Sequence, residues 1–280
     1  IVLFQHNVEA MIWQRHAEVA THPLKRAYMA TQWQRMRRFE AAECRRYDAV
    51  VAVSSQDAAY FRSEYGVTRT DDVPTGVDTE FFVPQPTVER RDAAMVFVGS
   101  MDWLPNEDGI LWYAETMHAR IRAAVPHATL TIVGRSPTPR VQALHDPANG
   151  ITVTGSVPDV RPHLAAASLC IVPLRVGGGT RLKIYEGMAM GLPTVSTSIG
   201  AEGLPVVDGE HLLLGDDPAA FADRCIALLR DPARARAMGA AADTYVRTHF
   251  GWDGVARRFA DLCLAAVPRT ASSPLTNVPA

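Results

Sequence analysis

The chain has 280 residues, 48% hydrophobic and 21% charged, with a formal net charge of -2. This is the composition of a globular protein, and a near-neutral balance gives no electrostatic reason to expect nucleic acid as a partner. No apolar run approaches the roughly 20 residues of a membrane-spanning helix. Cys44, Cys170, Cys225 and Cys263 are widely spaced, without a CxxC or zinc-ligand pattern, as expected of buried thiols in a reducing, cytoplasmic compartment.

Apolar runs of strand length alternate with helical patterns, which predicts a parallel α/β sheet. The chain opens on an apolar strand, Ile1–Phe4, with neither an initiator Met nor the charged start of a signal peptide. His6 follows it directly, where side chains of α/β sites emerge; a lone histidine at a strand end is more often structural. A long helix is predicted from about Pro23 to Arg46, with Pro23 at the first helical position. Leu24, Tyr28, Trp33, Met36, Phe39 and Tyr47 keep an approximately helical spacing. Its seven Lys or Arg against Glu40 and Glu43 suit either a solvated amphipathic helix or a face for anionic lipid or a lipid-diphosphate acceptor. Strand Ala49–Val53 leads to a short helix capped by Ser54 or Ser55. The proline-containing, charged stretch Val83–Arg91 has the composition of a linker.

A second series begins at Ala94. Its predicted strands are Met95–Val98, Thr129–Val133, Ile151–Thr154, Ser168–Pro173 and Thr194–Ser196, with helices starting near Asn106, Pro139, Asp159 and Thr180. Helices Pro218–Leu229 and Pro232–Thr248 follow, then an amphipathic helix from Trp252 to Ala266. The last residues are rich in Pro, Ser and Thr, a composition that favours disorder. His118, His145 and His163 show no metal-ligand spacing and suit core or surface positions.

The stretch Ile171–Gly203, IVPLRVGGGTRLKIYEGMAMGLPTVSTSIGAEG, holds the most chemistry. It predicts a buried strand, a glycine-rich loop, a helix and a second strand. Gly177, Gly178 and Gly179 let the backbone approach a ligand without Cβ interference. Thr180 is a candidate N-cap, so the positive end of a helix faces the loop, and phosphate is the usual occupant of such a place. Lys183 and Glu186, three residues apart, share a helix face. From Thr180 to Glu186 the axial rise is roughly 9 Å, about the span from a diphosphate to a ribose. The spacing alone fits a nucleotide-diphosphate site and, equally, a glycine-rich turn with both side chains solvated. Gly191 and Pro193 supply the helix stop. No Gly-Lys-Ser/Thr closes the loop, which disfavours a Walker A ATPase, and no GxGxxG follows a predicted strand, which disfavours an NAD-dependent dehydrogenase.

This segment resembles the donor-binding signature of retaining GT-B glycosyltransferases of family 4, group 1. Other landmarks of that family follow in order: HNVEAMIW (6–13), DAVVAVS (48–54), VPTGVDTEFF (73–82), VFVGSMDWLPNEDG (96–109), LTIVGRSP (130–137) and VTGSVPDVRPHLAAA (153–167). The likeness spans roughly residues 1–265. It implies a fold of two Rossmann-like parallel-sheet domains facing a cleft, the N-terminal one incomplete by about half, so that the chain is expected to be a fragment. The corresponding division is a partial N-terminal domain at 1–84, a linker at 85–93, a nucleotide-sugar-binding domain at 94–250, a crossover helix at 251–267 and a disordered tail at 268–280.

The resemblance further implies transfer of a sugar from a nucleotide-diphosphate donor to a hydroxyl of a glycan or lipid-linked acceptor, with retention of configuration and no metal or cofactor. Glu186 is expected to accept from both ribose hydroxyls. Lys183, with Arg181, is expected to stabilise the charge left on the departing diphosphate. Gly99, Ser100, Gly177, Gly178, Gly179 and Thr180 would line the donor. His6 would lie beside the transferred sugar, and Glu9 either joins it or caps the helix that follows. Trp103 and Pro105 either shape the cleft wall or only pack.

Two departures stand out. Many members carry a second glutamate eight positions before the first-named one, where this chain has Gly178. Many also carry an Arg and a Lys after the first strand of the C-terminal domain, where this chain has Ser100 and Asn106; Arg181 and Lys183 are expected to replace that pair. Two other functions remain open: a non-catalytic nucleotide-sugar-binding protein, and a nucleotide-sugar epimerase on the same fold.

Overall fold

The structure, a computed structural model, describes residues 1–177 and 182–266. The first unit contains β1 (Val2–Gln5), α1 (Glu9–Val19), α2 (Pro23–Cys44), β2 (Ala49–Ala52), α3 (Ser55–Tyr65) and β3 (Thr70–Asp72). Its three strands form a parallel sheet in the order β1-β2-β3. Ser54 is the cap of α3: its hydroxyl accepts from the Asp57 N–H at 3.0 Å.

Helix α1 has no capping side chain of its own at Val8. Its orphan amides are satisfied from α2 instead, where Glu40 accepts from the N–H groups of Glu9 (2.7 Å) and Ala10 (3.1 Å) and from the Tyr65 hydroxyl (2.7 Å). Only 3% exposed, Glu40 is thus a buried cap rather than part of a solvated helix face, and burial pushes its carboxyl above the ordinary range. An anion at the positive end of a helix offsets part of that desolvation. Glu9 does not act as the cap; its carboxylate receives the Asn7 side-chain amide. On the outer side of α2, Leu24, Tyr28 and Phe39 are exposed.

The second unit runs β4 (Ala94–Val98), α4 (Leu104–Thr116), α5 (His118–Ala124), β5 (Thr129–Val133), α6 (Pro139–Gln142), β6 (Ile151–Gly155), α7 (Arg161–Ala166), β7 (Leu169–Val172), α8 (Leu182–Ala189), β8 (Thr194–Ser196), β9 (Leu213–Leu214), α9 (Pro218–Arg230) and α10 (Pro232–Phe250). Six parallel strands lie in the order β6-β5-β4-β7-β8-β9. The central strands are covered on both faces, so they read as continuous apolar runs rather than alternating ones: Leu169, Cys170, Ile171 and Val172 are each at most 1% exposed. The largest buried cluster of the chain surrounds this sheet. Helix α8 stops at Gly191, whose φ of +65° is the left-handed value of a C′ glycine; Gly191 N–H donates to Met188 O and Leu192 N–H to Gly187 O.

Last comes α11 (Trp252–Ala266). Val255, Phe259 and Leu262, spaced i, i+4, i+7, make one apolar stripe that packs on Val51, Val73, Val2 and Phe4 of the first sheet. The Phe4 and Phe259 rings meet edge to face at 5.3 Å. Cys44, Cys170 and Cys225 are buried thiols, whereas Cys263 on α11 is half-exposed. His118 is a core residue between the Tyr113 hydroxyl and the Asn149 carbonyl. Among the described residues no helix is long and apolar enough to cross a membrane. The tail 268–280 lies outside the described residues.

Candidate active site

Strand order fixes where a ligand fits. From β4 the chain moves outward to β5 and β6, then returns to place β7 on the opposite side of β4. Connections leaving β4 and β7 therefore diverge, and the crevice beyond their C-terminal ends is the topological switch point where open α/β sheets bind ligands. Gly99 and Ser100 follow β4, Asn106 lies in the first turn of α4, Gly177 follows β7, and Lys183 and Glu186 lie on α8.

Helix α8 presents those two side chains for a simple reason. Ile184, Tyr185, Gly187, Met188 and Ala189 are its buried positions, which pin the helix to the core. Lys183 and Glu186, i and i+3 on the other side, are only half-buried. The Lys183 ammonium crosses from α8 to α4, donating to Asn106 Oδ1 at 2.6 Å. It also sits 4.3 Å from the centroid of the Phe97 ring, a cation–π contact that helps to place it. Asn106, 3% exposed, is itself fixed: its Nδ2 donates to Ser100 O at 2.8 Å. Asn106, at the position where the family resemblance would place a lysine, thus receives a cation rooted on α8.

Gly99 makes room for this arrangement. A Cβ there would lie 2.6 Å from Asn106 Nδ2 and 2.8 Å from Lys183 Nζ, so the backbone after β4 and the ammonium fit together only without a side chain. The Ser100 hydroxyl donates to Asp102 Oδ1 at 2.5 Å and accepts from Arg135 Nε at 2.8 Å. Arg135, at the end of β5, is thus the cation that stands at Ser100. No local pattern announces that pairing, because the two are 35 positions apart.

One turn beyond Lys183, burial pushes the Glu186 carboxyl above its ordinary range, and the Lys183 charge pulls in the opposite direction. Among the described residues its carboxylate makes no hydrogen bond. A desolvated carboxylate of this kind gains from donors that a ligand brings. Gly178, Gly179, Thr180 and Arg181 lie outside the described residues, so the expected anion cradle and the Arg181 part of the expected cation pair are not placed.

Sequence comparison decides the family. Residues 92–231 match the family described as "Glycosyl transferases group 1", and residues 1–81 match "Glycosyltransferase Family 4". The chain belongs to the family 4, group 1 glycosyltransferases. It is 30% identical over 239 residues to a GDP-mannose-dependent alpha-(1-6)-phosphatidylinositol monomannoside mannosyltransferase of Mycobacterium tuberculosis, an alignment covering 76% of this chain and 61% of that protein. The chain spans about three fifths of the length of the relatives it matches. Its fold is similar to that of sucrose-phosphate synthase from Thermosynechococcus elongatus, with a TM-score of 0.74 at 23% identity over 95% of this chain and 68% of that one. It is also similar to Anabaena Alr3699/HepE, a structure holding UDP and glucose, with a TM-score of 0.72 at 16% identity over 95% and 71% of the two chains. The two parallel-sheet units are therefore the two Rossmann-like domains of a GT-B fold.

Within that family fold the structure gathers Gly99, Ser100 and Lys183 around Asn106, with Glu186 one turn farther along. His6 stands apart from them in the first sheet: exposed, it follows β1 and packs its ring edge-on against Phe4 at 5.0 Å. Among the described residues its ring makes no hydrogen bond. Gly177 joins the first unit through a contact that sequence reading missed, since its carbonyl accepts from Arg15 on α1.

Proposed function

We propose that this chain carries the donor-binding part of an enzyme that moves a sugar from a nucleotide-diphosphate donor to a hydroxyl of a glycan or lipid-linked acceptor, with retention of configuration and without a metal. The observation that carries the proposal is the Lys183 ammonium, held by Asn106 at the switch-point crevice three residues ahead of the half-buried Glu186 carboxyl. As the bond between the anomeric carbon and the diphosphate oxygen breaks, the leaving group gains negative charge. A fixed ammonium in a partly desolvated crevice favours that charge more than it favours the intact donor. Glu186 offers two acceptor oxygens, the number that two ribose hydroxyls require. His6 would meet the transferred sugar or the acceptor hydroxyl from the opposite unit.

Family resemblance supports retention and metal independence. The mycobacterial relative is GDP-mannose-dependent, which makes GDP-mannose the first donor to try. Isothermal titration of the whole chain with GDP-mannose, UDP-glucose and an ADP-sugar tests the site. Saturable binding of one of them, lost in Lys183→Ala and Glu186→Ala, is expected. Equal affinity in wild type and both variants would refute the assignment. Donor turnover by a longer form of the protein, with NMR of the product anomer, then separates a transferase from a binding protein and retention from inversion.

A further inference from the structure

Close to the crevice, the two units meet through Arg15. Arg15, on the second half of α1, forms a two-pronged ion pair with Glu202 in the turn after β8: Nη1 to Oε2 at 2.5 Å and Nη2 to Oε1 at 2.6 Å. The side chains are only 13% and 21% exposed, so solvent screens them little. Nη1 also donates to the carbonyl of Gly177, at the end of the segment that leaves β7. Gln56 on α3 approaches the same Glu202 oxygen at 3.4 Å. Next door, a Cβ on Gly203 would lie 3.1 Å from that of Ser54, so the first unit also rests on this turn.

A planar guanidinium can serve a carboxylate and a carbonyl at once; an ammonium on a flexible stem holds neither orientation as firmly. A charge pair with this little solvent access is weak evidence of added stability, and its best-attested use is to specify one arrangement over others. Here the arrangement specified is the closed approach of the two units. We infer that Arg15 is a positioning residue for the donor site: bound to Glu202, it closes the first unit on the second, and it fixes the carbonyl of Gly177 beside the crevice. This rests on the proposal that the crevice takes a nucleotide diphosphate. Closure and donor binding would then be coupled through one side chain, so a ligand that favours either favours both.

The test combines small-angle scattering of the ligand-free chain with calorimetric titration of GDP, UDP and ADP. Arg15→Ala and Glu202→Gln are each expected to increase the radius of gyration and to weaken nucleotide binding about tenfold or more, with the double variant no weaker than the worse single one. The reciprocal pair Arg15→Glu with Glu202→Arg is expected to restore the compact form but not the affinity, because a carboxylate at position 15 cannot donate to Gly177 O. Recovery of affinity in that pair would overturn the Gly177 part of the inference. If wild type binds a nucleotide and Arg15→Ala and Glu202→Gln bind it equally well with unchanged scattering, the inference falls while the site stands. If wild type binds none of the three, both fall together. Should Arg15→Ala fail to fold, Glu202→Gln, which keeps the shape and removes the charge, decides the matter.

Discussion

Gly99→Ala is the smallest change that reaches the centre of the crevice. The new methyl would start 2.6 Å from Asn106 Nδ2 and 2.8 Å from Lys183 Nζ, about 0.8 and 0.6 Å short of an ordinary contact of about 3.4 Å. The two neighbours yield differently. Lys183 Nζ is the tip of a flexible chain, whereas the Asn106 amide is buried and held at both ends, to Lys183 and to Ser100 O. Relief therefore comes mainly by pushing the ammonium off Asn106. Overpacking of this kind costs roughly 1–3 kcal/mol, and the low end applies because one neighbour can move. A charged hydrogen bond of about 1.5–3 kcal/mol would then be lost or misdirected at the donor, a weakening of about 10- to 100-fold at 1.4 kcal/mol per decade. Thermal unfolding reads the first effect and titration calorimetry with the bound nucleotide sugar the second. A clearly lower affinity with a modest fall in Tm is expected. An unchanged affinity would show that the ammonium's position does not matter to the ligand.

Three further outcomes follow from the same contacts. Burial raises the Glu186 carboxyl, so the folded chain keeps that proton to higher pH than the unfolded one; the stability contributed is complete below the unfolded value of about 4.3 and is lost as pH rises through the folded value. Glu186→Gln, which never ionises, should therefore gain in Tm over wild type as pH rises from about 4.5 to 8, while donor affinity falls about tenfold or more. Asn106→Lys with Lys183 retained sets two cations together and should weaken donor binding about tenfold, and adding Lys183→Asn should restore it; titration of the three variants checks this. Glu40→Ala strips two amides of α1 and the Tyr65 hydroxyl of their shared acceptor and should cost about 2–4 kcal/mol in urea unfolding, with Tyr65→Phe costing about 1 kcal/mol.

What was legible in the sequence follows the range of each interaction. Buried parallel strands such as Leu169–Val172 write themselves as apolar runs. Strand β3, the polar triplet Thr70–Asp72, and β9, only Leu213–Leu214, leave no such run; both exist because a neighbour's edge is available. The break between α4 and α5 at Met117 falls inside a continuous apolar pattern and left no punctuation to read. Helix α1 carries no cap signal of its own, because the carboxylate that caps it lies on another helix, 31 residues away in sequence. Lys183 and Glu186 were readable since one helix turn joins them. Arg135, Arg15 and Glu202 were not readable as site residues: each acquires its partner only when elements 35 to 187 positions apart come together.

The position of a charge, rather than the strand that supplies it, is what a diphosphate would sense. Strands β4 and β7 are neighbours, roughly 4.8 Å apart, and the four-carbon stem of a lysine is long enough to cross that interval. A cation rooted on α8 therefore ends at the side chain of α4 that resemblance marks as a lysine position, and Asn106 is short and neutral enough to receive it. With Lys183 and Glu186 on the same helix, a shift of α8 moves the cation and the buried carboxyl together, whereas a cation rooted on α4 would stay behind. On the proposed reading the cation and the carboxyl offered to a donor both stand on α8, and the Arg15 contact from the other unit is made at Gly177, beyond the end of β7.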